Sequence, residues 1–145
     1  FDQAVQAIIN ARKIYIIGVR SAAALASFIN FYFTHIFEDI RNLDTASTSV
    51  IFEQLLRVSP KDVFIAITFS RYSSRTYKAA TYAKQNGATV IAITDSLTAP
   101  ICKVADHVLM ARSDMASFVD SLVAPLSLIN ALIVAIGLEK KEEIA

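Results

Sequence analysis

Cysteine is almost absent: the chain of 145 residues holds one, Cys102. A single thiol forms no internal disulfide, which excludes a disulfide-stapled scaffold and suits a reducing cytoplasm. Nothing marks Cys102 as a nucleophile, and it reads as a small residue packed near a loop. Glycine is also scarce; Gly18, Gly87 and Gly137 each fall at an expected boundary between elements. The run Gly18-Val19-Arg20-Ser21 is not a G-x-G-x-x-G fingerprint, because Arg20 holds its second glycine position, so no dinucleotide cofactor is expected. P-loop and G-x-S-x-G patterns are missing. His35 and His107 have no neighbours at metal-ligand spacing, so no metal site is expected. An excess of charge of one sign is lacking as well. The net charge of +1 rules out a globally basic nucleic-acid binder. Repeats, low-complexity tracts and linkers are absent.

What is present is apolar. At 54% hydrophobic, the chain can bury the core of a single domain. Strands are expected at 13–18, 40–44, 62–68, 89–94 and 105–110, and helices at 21–37, 48–58, 77–86 and 117–138. Residues 1–12 read as the end of a helix. This alternation predicts an α/β fold, a parallel sheet with helices on both faces. Residues 21–37 and 121–138 are too apolar for ordinary surface helices. The second run approaches the roughly 20 residues that span a bilayer. Pro125, Ser127 and Asn130 interrupt it, however, and it closes a good α/β pattern. No membrane span is therefore expected; both helices are expected at the contact of a homodimer or larger oligomer. The chain opens on Phe1 rather than Met, which leads us to expect a piece of a longer protein with a domain upstream.

The richest stretch is Thr68-Phe69-Ser70-Arg71-Tyr72-Ser73-Ser74-Arg75-Thr76. It joins the third strand to the following helix. In an open α/β sheet such turns lie at the carboxyl edge, where ligands bind. The helix start adds free N–H groups and a partial positive charge. Hydroxyls, helix N-terminus and guanidinium together describe an oxyanion site, most simply for phosphate. Ser21, after the first strand, is placed to cap the next helix or to face the ligand. Arg20, Arg71 and Arg75 belong to the same two loops, and guanidinium forks match phosphate and carboxylate. Asp95 is expected to cap the segment 97–104, with a sugar hydroxyl as its alternative partner.

Four features taken in order resemble the sugar isomerase (SIS) domain, and most closely that of RpiR/MurR-type bacterial transcriptional regulators. They are Gly18-x-x-Ser21, DVFIAIT-x-Ser with a following hydroxyl, AKQNGATVIAITDS, and Ala99-Pro100-Ile101-Cys102-Lys103-Val104-Ala105-Asp106. The resemblance implies a three-layer, flavodoxin-like sandwich with a five-stranded parallel sheet, usually dimeric. It implies that residues 13–145 form a phosphosugar-binding domain and that 1–12 end a linker helix from a helix-turn-helix domain. Thr68, Ser70 and Ser73 match the family's phosphate-binding hydroxyls, and Ser21 matches the serine of its first loop. Arg71 stands where the family has glycine. The implied partners are a phosphorylated sugar or sugar acid, and DNA only through the upstream domain; no cofactor is implied. The rival reading is a phosphosugar isomerase. It needs a base, for which Asp120, Glu53 and His35 are the candidates. A third reading is a dimerisation module with a dead pocket.

Overall fold

The computed structural model describes residues 1–69, 72–112 and 122–144. Its elements run α1 (Asp2–Ile9), β1 (Ile14–Gly18), α2 (Ala22–Phe33), β2 (Ile40–Asn42), α3 (Thr48–Gln54), β3 (Val63–Ile67), α4 (Ser74–Gln85), β4 (Thr89–Thr94), a 3-10 turn (Pro100–Lys103), β5 (His107–Met110) and α5 (Val123–Ile144). The five strands pair in the order β2-β1-β3-β4-β5, all parallel. The expected α/β architecture is therefore present.

The central strands are apolar on both faces, as buried parallel strands must be. Alternation along each strand divides the core in two. Ile14, Ile16, Ile65, Ile67, Ile91 and Ile93 point to one face, under α1, α2 and α5. Tyr15, Ile17, Phe64, Ala66, Val90 and Ala92 point to the other, under α3 and α4. Large residues line the first face. On the second, Ala79, Ala80 and Ala83 let α4 sit close to the sheet.

Several helix ends depart from expectation. α2 stops at Phe33 rather than 37, where Ile36 N–H bonds Phe33 O and tightens the chain toward β2. α3 stops at Gln54 rather than 58, through similar bonds from Leu55 to Phe52 and from Val58 to Leu55. α4 starts at Ser74 rather than 77, because the Ser73 side chain caps it. β5 starts at His107 rather than 105. α5 continues through Gly137 to Ile144, so that glycine marks no boundary. The start expected for this last helix, at 117, lies outside the described residues. Pro125 falls in the first turn of α5, where a missing N–H leaves no helical bond unmade.

α1 buries Ala4, Val5 and Ile8 and packs on α5. Its exit is tied down where Arg12 Nη2 donates to the buried Asp62 Oδ2 at 3.0 Å. α5 also packs on α2 and turns Ile129, Leu132 and Ile136 inward. By length and composition alone, Val123–Lys141 would suffice to cross a membrane. Here one side of it covers the sheet, while Val134 and Leu138 on the other are 54% and 62% exposed.

Candidate functional site

Strand order reverses at β1: the chain passes from β1 to β2 on one side, then returns to β3 on the other. A crevice opens at the carboxyl ends of β1 and β3, where open α/β sheets hold ligands. Gly18 and Ile67 are register partners there, so the β1–α2 and β3–α4 turns leave the sheet side by side. Between them lies a cavity of about 430 Å3, lined by Val19, Arg20, Tyr72, Ser73, Ser74 and Arg75. Its size is in the range of small-molecule sites, about 300–1,000 Å3.

The β1–α2 turn is tight. A Cβ on Gly18 would lie 2.4 Å from Ala22 O, so α2 begins almost in contact with the strand. Only Val19, Arg20 and Ser21 separate the two elements. Arg20 turns the chain with φ 61°, the left-handed region, at a cost of about 1 kcal/mol for a residue with a side chain. Its carbonyl accepts from Ala23 N–H at 3.0 Å and so starts the helix. The Ser21 side chain makes no capping hydrogen bond, contrary to expectation. Ser21 already has helical backbone angles, φ −62° and ψ −29°, rather than the extended ones of a capping residue.

The β3–α4 turn is organised by its own hydroxyls. Thr68 is buried at the end of β3, and its Oγ1 accepts from Ser73 N–H at 3.4 Å. Ser73 Oγ accepts from Thr76 N–H at 3.3 Å and caps α4. The start of α4, through Ser73, Ser74 and Arg75, lines the cavity, and a helix N-terminus carries a partial positive charge. Arg75 Nη1 donates to Thr45 O at 2.9 Å, fixing the guanidinium against the β2–α3 connection.

Three of the expected site residues line the cavity: Arg20, Ser73 and Arg75. Thr68 supports Ser73 from below, and Ser21 follows Arg20 at the α2 start. Ser70 and Arg71 lie outside the described residues, as does Asp120. The other candidate bases are elsewhere. Glu53 faces a groove near the start of β1 with Lys13, Tyr15 and Arg41. His35 is exposed, with Nδ1 2.8 Å from Phe31 O.

Sequence reasoning missed Tyr72. Its hydroxyl donates to Asp95 Oδ1 at 2.7 Å, joining the β3–α4 loop to the end of β4. Burial, together with that bond and the Asp95 charge, pushes the phenol up to about 12, so it remains a donor at neutral pH. Asp95 therefore holds Tyr72 rather than capping 97–104; Ser96 Oγ takes the Thr98 N–H there. No group of acidic, His and Cys side chains among the described residues is arranged to hold a metal ion.

The sequence profile of the SIS domain matches residues 7–135. An uncharacterized HTH-type transcriptional regulator of Haemophilus influenzae is 28% identical over 157 aligned positions, which take in 99% of this chain and 50% of that protein. The chain thus spans about half the length of that curated relative. The sugar isomerase domain of the RpiR transcription factor from Sphaerobacter thermophilus superposes with a TM-score of 0.91 at 27% identity, covering 97% of this chain and 78% of that one. The Vibrio vulnificus NanR protein, solved with ManNAc-6P, has a TM-score of 0.84 at 19% identity, covering 97% of this chain and 55% of that one. A Methanococcus jannaschii protein inferred to be a 3-hexulose-6-phosphate isomerase shares the fold, with a TM-score of 0.73 at 17% identity over 99% of this chain and 76% of that one.

Proposed function

Because this chain belongs to the SIS domain family, we propose that it is the effector-sensing domain of a bacterial transcriptional regulator, binding a phosphorylated sugar or sugar acid. The observation that carries this is the cavity at the ends of β1 and β3, with Ser73 and the α4 N-terminus in its wall. Ser21, Thr68, Ser70 and Ser73 hold the phosphate, and Arg20, Arg71 and Arg75 lend positive charge to the same space. The Haemophilus and Sphaerobacter relatives are named as regulators, which favours sensing over isomerisation. The ligand complex of NanR supports a phosphosugar as effector. DNA is reached through a helix-turn-helix domain upstream, with α1 as the end of the linker. The protein acts in the cytoplasm as a homodimer or larger assembly, built on the outer faces of α2 and α5. The effector must bind one arrangement of the assembly better than another, since only a difference in affinity shifts an equilibrium.

The test is a thermal-shift screen against phosphosugars, phosphorylated sugar acids and inorganic phosphate. A ligand that binds only the folded state raises the melting temperature by mass action. A selective rise that disappears in Ser70→Ala is the expected result. No rise with any compound defeats the sensing role and leaves a dimerisation module. Catalytic interconversion of an aldose and a ketose phosphate, abolished in Asp120→Asn, would establish the isomerase instead.

A further inference from the structure

The cavity wall is electrostatically one-sided. Of its lining residues among those described, Arg20 and Arg75 are cationic and none is acidic. Neither arginine forms an ion pair among the described residues. The carboxylate at the adjoining strand end, Asp95, takes the Tyr72 hydroxyl at 2.7 Å.

The two guanidiniums are placed differently. Arg75 is the second residue of α4, beside the N–H groups that suit a phosphate, and Thr45 O already engages it. Arg20 comes from the opposite wall, on the β1–α2 turn. A phosphate at the α4 N-terminus therefore leaves Arg20 to face the other end of the ligand. Arg20 also occupies the left-handed region, φ 61°, where glycine is favoured. The chain holds a long cation at the one position of this turn where a residue without a side chain would be less strained.

Resting on the phosphate reading above, we infer that the effector is anionic at both ends: an aldonic acid phosphate, its phosphate at the α4 N-terminus and its carboxylate on Arg20. A guanidinium and a carboxylate make two parallel charge-assisted hydrogen bonds, which a neutral aldehyde or ring hydroxyl cannot match. Arg20 is then the residue that separates sugar acids from sugars of the same stereochemistry.

The test uses this chain in isothermal titration with matched pairs of hexose and pentose phosphates and their aldonic acids, and with inorganic phosphate alone. At least one aldonic acid phosphate is expected to bind about tenfold or more tightly than its parent aldose phosphate. In Arg20→Gln that ratio falls toward one. Arg20→Gly loses the same preference while its melting temperature holds or rises, an outcome that a purely structural arginine does not give. Aldose phosphates that bind as well as their acids, or a preference that persists in Arg20→Gln, overturn the inference and leave the phosphate site standing. Failure of inorganic phosphate and every sugar phosphate to bind refutes the phosphate site, and this inference with it.

Discussion

A methyl group at position 18 has nowhere to go. Its carbon would sit 2.4 Å from Ala22 O and 2.7 Å from Ala22 C, both backbone atoms, and 3.1 Å from Ala26 Cβ. Gly18→Ala must push the first turn of α2 away from β1, and with it the Arg20 wall of the cavity. The expected loss is about 1–3 kcal/mol of stability, read from the urea midpoint, together with weaker effector binding. A midpoint unchanged from wild type would show that the turn relaxes freely. Tyr72 also lines the cavity. Its hydroxyl joins loop segments 23 positions apart, and no spacing rule connects a tyrosine in one turn with an aspartate at the end of the next strand. Arg20, Ser73 and Arg75, which line the cavity, could be singled out in the sequence because their residue types suit an anion. The Tyr72–Asp95 bond could not, because only the pairing of β3 with β4 brings the two together. The left-handed Arg20 escaped notice for a similar reason: it follows from how closely α2 is drawn against β1.

At the scale of elements, strands were read more accurately than helix ends. β4 covers the expected 89–94, because a buried parallel strand is a bounded apolar run. α4 begins three residues before its expected start, since one cap decides where a helix begins and the hydroxyl-rich stretch offered several. β5 shows how a single side chain sets an element's start. Asp106 Oδ2 accepts from Val90 N–H at 2.8 Å, and its Oδ1 accepts from Lys84 Nζ, so β4, α4 and the entry to β5 meet at one carboxylate. Partial burial raises the pKa of Asp106. The bonds from Lys84 and Val90 and the charges of Lys84 and His107 outweigh that effect and hold it below the ordinary 3.8. A lowered folded-state value stabilises the fold above the ordinary carboxylate range, and this contribution is lost as pH falls through the folded value. Asp106→Asn is therefore expected to have a lower urea midpoint at neutral pH, with the gap to wild type narrowing in acid. A gap that stays constant with pH would assign the whole effect to packing.

For the whole molecule, the outer faces of α2 and α5 carry exposed apolar side chains. These helices pack side by side. Phe31 and Tyr32 on α2 are 59% and 42% exposed, and Leu126, Val134 and Leu138 on α5 also face outward. Where exposed apolar residues form a contiguous patch, they mark an interaction site. If these faces are the homodimer contact, Phe31→Glu and Val134→Glu are expected to halve the mass measured by light scattering while leaving the circular dichroism spectrum intact. Unchanged mass in both variants would remove these helices from the assembly.

The contact between Gly18 and Ala22 has a mechanical meaning as well. α2 has 12 residues, a rod about 18 Å long at 1.5 Å per residue. One end abuts the strand beside the cavity with no compressible gap, and the other carries the exposed aromatics. A rod seated without slack transmits displacement instead of absorbing it. A displacement of Arg20 at the near end is therefore expected to reach Phe31 and Tyr32 at the far end, a coupling that hydrogen exchange along α2 with and without ligand would check.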